Sequence, residues 1–288
     1  MPFSTTKRST SPCSDLNLPG SPEVIYLITS WVRQAGLIAL RHFNNVTAQS
    51  KPDQTIVTQA DLEIEQFLYA RIKTAFPAHR VIGEEETRDQ DNQTAPNVWA
   101  IDPIDGTTAF VQGLPGWGIS VGLLYEEQPC FGVFYMPLLD DLTYTTATGD
   151  VYCNERCLGR SVHQDWDAKG FLAISASAHH DFHIKLQRTR AMGSVGSSLV
   201  YTARGAAGGA FIPKAYLWDL VAGAAIVMGT GGELRYLSGR SVDYLELLDG
   251  RIAPEPIIAA HPNLQARLSH AIKSRARPVK RRDNLTTS

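Results

Sequence analysis

The chain is predicted to be an α+β to α/β protein, because its two halves carry different apolar periodicities. Two segments with apolar residues every third or fourth position open the first half, and apolar runs of strand length follow them. From about residue 172 onward, short strands and helices alternate, as in an α/β unit. The change near residue 150 places the expected boundaries. They are a leader over 1–21, an α+β domain over 22–150, an α/β domain over 151–265 and a basic tail over 266–288.

The elements follow in order. Ile25, Ile28, Trp31, Val32, Ala35, Ile38 and Ala39 recur at helical spacing, so residues 22–48 read as a helix. Asp61 to Phe76 reads as a second one, with Ile64, Phe67, Leu68 and Ile72 on one face and Pro77 as its stop. Val98 to Ile101, Trp117 to Tyr125, Pro129 to Met136 and Thr143 to Thr146 read as strands, the last ending in a Gly149-Asp150 turn. This block suits a helix pair packed on an antiparallel sheet. In the second half Leu172 to Ser175 and Gly208 to Ile212 read as strands, with Ser197 to Ala206 as a helix between them. Leu220 to Met228 reads as a helix stopped by Gly229-Thr230-Gly231-Gly232, and Glu233 to Leu237 as a strand.

Composition narrows the function classes. Hydrophobic residues make up 43% and charged residues 19%, as in ordinary globular chains. A net charge of −2 gives no general attraction to nucleic acid or to an anionic membrane. No segment approaches the ~20 apolar residues that span a bilayer. Met1 to Ser21 is rich in Ser, Thr and Pro without an apolar core, and reads as a disordered leader rather than a signal or anchor. The four cysteines, at 13, 130, 153 and 157, make no zinc pattern and read as free thiols of a cytoplasmic protein. The tail from Lys273 to Arg282 is basic but lacks interleaved aromatics, so a solvated tail is expected rather than a nucleic-acid arm.

The chemistry concentrates in Trp99-Ala-Ile-Asp102-Pro103-Ile104-Asp105-Gly106-Thr107-Thr108. Two carboxylates three apart, stiffened by Pro103 at the end of an apolar run, suit a hard cation such as Mg²⁺. Gly106, Thr107 and Thr108 supply N–H groups and hydroxyls that suit a phosphate. An Asp-Gly turn with a helix cap is the plain alternative. Two more acid sites border apolar sequence: Val81-Ile82-Gly83-Glu84-Glu85-Glu86 and Trp218-Asp219-Leu220. Asp219 reads either as a helix N-cap or as a further ligand. Three acid sites at strand-to-helix junctions could converge on one metal cluster. His179, His180 and His183 offer a transition-metal alternative that no acid or thiol cluster accompanies.

The stretch Ile101 to Pro115 resembles the signature of the inositol monophosphatase family, Mg²⁺-dependent phosphatases that share a fold with fructose-1,6-bisphosphatase. Lys51-Pro52-Asp53 with Val57-Thr58-Gln59-Ala60-Asp61, Gly83-Glu84-Glu85, and Trp218-Asp219 with Ala222-Gly223 resemble the family's other motifs in order. The resemblance spans roughly residues 22–262. It implies a layered α-β-α-β-α sandwich with the site between the halves, most ligands in the first and Asp219 in the second.

The resemblance also implies two or three Mg²⁺ ions. Asp102 would bridge two of them, Asp105 and Asp219 would hold the second, and Glu84 the first. The Ile104 carbonyl would complete a shell. Glu84 and Thr107 would handle the attacking water, with Asp61 accepting the Thr107 hydroxyl. Gly106 and Thr107 would cradle the phosphate. Lys51 and Asp53 would sit on a mobile loop. Li⁺ inhibition and a homodimer are implied as well.

The substrate implied is a small phosphorylated metabolite, first of all inositol monophosphate. The chain departs from the family at Ile212, where inositol-specific members carry an acid, and at Ala109 and Gln112. Isoleucine cannot accept a hydrogen bond from a polyol. Lys214 beside it suits a second phosphate, as in a 3′(2′),5′-bisphosphate nucleotide or fructose-1,6-bisphosphate. Histidinol phosphate is a further family substrate. A non-catalytic phosphate binder is the reading of another class.

Overall fold

The computed structural model describes residues 21–45, 49–50, 56–85 and 94–275. In chain order these form α1 (Pro22–His42), β1 (Gln49–Ser50), β2 (Ile56–Val57), α2 (Gln59–Ala75), β3 (Arg80–Gly83), β4 (Asn97–Asp105), α3 (Thr107–Val111), β5 (Gly118–Tyr125), β6 (Gln128–Met136), β7 (Asp141–Thr145), β8 (Val151–Cys153) and β9 (Arg156–Cys157). Then come β10 (Leu172–Ile174), α4 (Ala178–Asp181), β11 (Phe182–Ile184), β12 (Thr189–Ala191), α5 (Val195–Ala203), β13 (Gly209–Ile212), α6 (Leu217–Gly229), β14 (Glu233–Tyr236), β15 (Ile257–Ala260), α7 (Pro262–Ala271) and β16 (Ile272–Ser274).

Local chemistry sets several boundaries. Ser21 caps α1 by accepting the Val24 N–H at 3.3 Å, with Pro22 at the first helical position. The helix ends at His42, short of the expected residue 48, and Asn44 takes φ 66° just beyond it. Asn is one of the few residues that tolerates this left-handed region. At the other end of the chain, α7 runs to Ala271 and β16 pairs antiparallel with β11. Residues 266–274 are therefore built into regular structure rather than lying in a tail. The remainder, with the leader up to residue 20, lies outside the described residues.

Seven strands form the larger sheet in the order β3-β4-β5-β6-β7-β8-β9, parallel only between β3 and β4. Five form the smaller sheet in the order β12-β10-β13-β15-β14, parallel at β12-β10-β13 and antiparallel beyond.

The side-chain period of two sorts each sheet into faces. Trp99, Ile101, Val121, Leu123 and Val133 pack with Val32 and Ala35 of α1 and with Ile64 and Leu68 of α2. The intervening Val98, Ala100 and Phe134 point the other way, into a core shared with Leu199 of α5 and Leu220, Val221 and Ala224 of α6. Ala210, Ile212, Ile257 and Ala259 of the smaller sheet close that core from the far side. Their alternates Phe211, Ile258 and Ala260 meet Leu264 and Leu268 of α7. The layers are thus α1/α2, large sheet, α5/α6, small sheet and α7. No helix among the described residues is long and apolar enough to cross a membrane.

Two polar contacts fix the middle helices to the large sheet. Ser120 donates to the Trp218 carbonyl at 3.4 Å, seating the start of α6. At the end of α5, Arg204 forks onto Asp141 of β7 and also reaches Thr143, with Nη1 to Asp141 Oδ2 at 2.6 Å.

Candidate functional site

Asp102 and Asp105 both belong to β4, three residues apart, so a regular strand would send them to opposite faces. The strand is not regular there. Asp102 pairs with Ser120 and Asp105 with Gly118, which leaves two residues of β4 opposite one of β5. Pro103, without an N–H to give the ladder, lies in this bulge. The extra residue turns Asp105 back toward the side of Asp102. Both are buried, at 1% and 4% exposure.

Two neighbouring elements complete the acid cluster. Asp219 lies in the first turn of α6, and its Oδ2 accepts the Tyr216 N–H at 2.7 Å. The N-cap position belongs to Tyr216, so Asp219 is not the expected N-cap: it reaches back to the N-cap amide from the third helical residue. Carboxylate oxygens of Asp102, Asp105 and Asp219 lie within 4.8 Å of one another. Glu84 follows β3, whose parallel register sets Gly83 beside Ile101 and hence Glu84 beside Asp102. The Glu84 N–H donates to the Ile101 carbonyl at 3.2 Å.

The electrostatics follow from this crowding. Burial first, then the charges of Glu84, Asp105 and Asp219, push the Asp102 carboxyl well above the ordinary carboxylate range. Burial, then Asp105 and Glu84, do the same to Asp219. Burial raises Asp105 to about 6, against the pull of hydrogen bonds from Gly196, Ser194 and Val195. Asp102 Oδ1 is buried without a hydrogen-bond partner among the described residues. An orphaned anionic oxygen amid three other acids fits a hard divalent cation, which takes oxygen donors and reverses the repulsion.

Beside the acids, Gly106 (φ 95°) starts the five-residue α3. The Thr107 hydroxyl donates to the Ile104 carbonyl at 3.1 Å. Asp61 is fully buried at the start of α2, where Oδ2 accepts the Thr58 N–H at 2.8 Å and the Thr58 hydroxyl at 2.6 Å. In place of the expected Thr107–Asp61 hydrogen bond, Thr107 donates to Ile104 and Asp61 accepts twice from Thr58, which closes the start of α2. Asp61 still adds its charge to the repulsion at Asp102.

A cavity of about 440 Å³ opens beside Asp105 and Gly106. Ser194, Val195, Ile212, His180 and Lys214 are among its walls. Ile212 is 3% exposed, with its side chain in the core between the sheets, while Lys214 is exposed. A larger groove of about 1210 Å³, between the start of α1 and β7–β9, contains none of the buried acids. Lys51, Asp53 and Glu86 lie outside the described residues.

Two contributors to the site lie outside every motif quoted above. One is the start of α5, where the Val195 N–H donates to Asp105 Oδ1 at 3.2 Å and the Gly196 N–H to Oδ2 at 2.5 Å. Gly193-Ser194 ahead of an apolar helix was the available signal. The other is Glu65, an acid on the buried stripe of α2. A Cβ on Gly196 would lie 2.5 Å from Asp105 Oδ2 and 2.2 Å from the Phe134 ring. Gly196→Ala is therefore expected to cost about 1–3 kcal/mol by overpacking and to lower kcat at least about tenfold by unseating Asp105. A melting curve and a turnover assay check this, and wild-type values in both would refute it.

Comparison with known proteins agrees with the geometry. The model of the inositol monophosphatase family matches residues 22–276. Inositol monophosphatase 1 of Bos taurus is 30% identical over 232 residues, covering 74% of this chain and 83% of that protein. The crystal structure of extragenic suppressor protein SuhB from Bartonella henselae superposes with a TM-score of 0.74 at 22% identity, covering 86% of this chain and 98% of that one. A structure of an IMPase/NADP phosphatase, complexed with Mg²⁺ and phosphate, gives a TM-score of 0.75 at 20% identity, with 86% and 94% covered.

Proposed function

This chain belongs to the inositol monophosphatase family, it is an Mg²⁺-dependent phosphoric monoester hydrolase, and from that premise we propose that its substrate is an inositol monophosphate. The observation that carries the reading of the site is the convergence of Asp102, Asp105 and Asp219 within 4.8 Å, with one buried Asp102 oxygen lacking a hydrogen-bond partner among the described residues. In this reading Asp102, Asp105, Asp219, Glu84 and the Ile104 carbonyl are the groups that would hold the Mg²⁺ ions, with Asp102 serving more than one of them. Bound Mg²⁺ supplies Lewis acidity: it acidifies water, neutralises phosphate oxygens and stabilises the leaving alkoxide.

The protein groups do the rest. The N–H groups of Gly106 and Thr107 receive phosphate oxygens. Glu84 accepts the proton of the attacking water, and the Thr107 hydroxyl orients that water. Asp61 holds the start of α2 and adds negative charge behind the cluster. The alcohol part of the substrate occupies the cavity bordered by Ser194, Val195 and Ile212. The Mg²⁺ and phosphate in the IMPase/NADP phosphatase neighbour support this reading. A homodimer belongs to the same proposal and is checked by light scattering.

One observation favours a second substrate class. Ile212 brings a buried apolar wall, and Lys214 a cation, to the cavity where a polyol would need acceptors. That pairing suits a phosphate ester with a second phosphate, such as a 3′(2′),5′-bisphosphate nucleotide or fructose-1,6-bisphosphate. The test is phosphate release from inositol 1-phosphate, these bisphosphates, histidinol phosphate and 2-glycerophosphate, with Mg²⁺ and with EDTA. The highest kcat/KM on inositol 1-phosphate supports the first reading. A preference of at least about tenfold for a bisphosphate replaces it with the second. Turnover that survives EDTA would refute both.

A further inference from the structure

Glu65 is a buried acid that the reaction as described does not use. It is 2% exposed on the face of α2 that also buries Asp61, Ile64 and Leu68. A buried carboxylate is costly unless its oxygens are engaged, and two of its contacts lie in the turn that carries Glu84. Oε2 accepts the Glu85 N–H at 2.8 Å. The same carboxylate is fitted against Gly83. A Cβ on that residue would lie 2.4 Å from Oε2, 2.5 Å from Cδ and 2.8 Å from Oε1. The glycine at the end of β3 is the space into which Glu65 reaches.

The position of these contacts gives them a function. The Glu84 N–H is tied to the Ile101 carbonyl, and the Glu85 N–H to Glu65. These two amides flank the Glu84 Cα, so the peptide planes on both sides of it are held. Both soft torsions of Glu84 are thereby set. One anchor is the large sheet, and the other is a side chain from α2.

We propose that Glu65 is a positioning residue for the metal centre: through the Glu85 amide and the space at Gly83 it aims the Glu84 carboxylate at the ion site. The proposal rests on the reading of Glu84 as a metal ligand. It assigns to α2 a second link to the site, separate from Asp61.

The test measures Mg²⁺ binding directly by isothermal titration calorimetry, together with the Mg²⁺ concentration for half-maximal turnover and kcat at saturating Mg²⁺, on full-length protein, with far-UV circular dichroism as the check on folding. Glu65→Leu removes the acceptor at similar size. It is expected to raise the half-maximal Mg²⁺ concentration by about 10–100-fold, the range seen when partners of metal ligands are lost, with a smaller fall in saturated kcat. Glu65→Gln keeps an acceptor oxygen and is expected to return the Mg²⁺ requirement to within about threefold of wild type.

If Glu65→Leu does not fold, Gly83→Ala carries the test. It leaves Glu65 in place but displaces its carboxylate, and the same shift in Mg²⁺ requirement is expected. A folded Glu65→Leu or Gly83→Ala with the wild-type Mg²⁺ requirement overturns the proposal. Glu84→Gln separates the two levels: if it leaves the Mg²⁺ requirement unchanged, the ligand reading of Glu84 fails instead.

Discussion

Asp102→Asn is expected to remove turnover while raising the melting temperature of the metal-free protein. The two effects share one cause. Asp102 is 1% exposed, one of its oxygens has no partner among the described residues, and Glu84, Asp105 and Asp219 all oppose its ionisation. In the absence of metal this is stored repulsion, and asparagine removes a charge from it at nearly constant shape. A gain of about 1 kcal/mol or more corresponds to roughly 2–4 °C for a chain of this size. With Mg²⁺ the balance reverses, because in the proposed site the removed charge would hold the ion. Losing several kcal/mol of transition-state stabilisation lowers kcat by at least about 10³-fold. Thermal melts in EDTA and turnover at saturating Mg²⁺ measure the pair. Turnover above about 1% of wild type, or a lower melting temperature in EDTA, would contradict the account.

Mg²⁺ is expected to stabilise the protein strongly at pH 8 and weakly at pH 5. Burial raises Asp105 from the ordinary 3.8 to about 6, and it raises Asp102 and Asp219 as well. Between those values the folded chain keeps protons that the unfolded chain has lost. Stability of the metal-free protein is therefore full below the ordinary value and falls as pH rises through the folded-state value. For Asp105 alone the shift corresponds to about 3 kcal/mol, of which a part is already lost at pH 5. Mg²⁺ held by the ionised cluster, as proposed, would offset this penalty where it is largest.

His79 works in the opposite sense. It is half-buried, accepts the Trp99 indole N–H at 3.0 Å, and is held below its ordinary 6.5 by burial and by Lys73. Its contribution is lost as pH falls through that region. The difference between melts with and without Mg²⁺ at each pH cancels it and isolates the acids. A Mg²⁺-induced rise in melting temperature of at least about 5 °C at pH 8, shrinking to less than half at pH 5, is the expected result. An equal rise at both pH values would count against the cluster as the origin.

The residues that bear charge within a motif were readable from the chain, because an acid at the end of an apolar run is anomalous wherever the fold puts it. Asp102, Asp105, Glu84 and Asp219 stand out in this way. The helix pair and the later alternation were readable for the same reason, since periods of 3.6 and 2 are local. What was missed depends on tertiary contact. Nothing near Gly196 in sequence indicates that its amide meets Asp105, 91 residues away. Glu65 disrupts the apolar stripe of α2, but the turn that uses it lies 20 residues on. Helix ends were misjudged where a side chain decided them. Asp61 and Asp219 both reach back from the third helical position to the N-cap amide. Spacing alone does not separate that geometry from an N-cap acid.

The bulge in β4 makes the site sensitive to chain length more than to residue identity. Asp102 and Asp105 share a side only because two residues face one across the ladder. A regular ladder with the same number of residues would send Asp105 to the opposite face, away from Asp102 and from the α5 amides that seat it. Adding one residue with the bulge kept would shift every pairing downstream by one and do the same. Substitution can drift through this segment one side chain at a time, whereas an insertion or deletion has no small version. The number of residues across the bulge therefore carries as much of the site as their identity does.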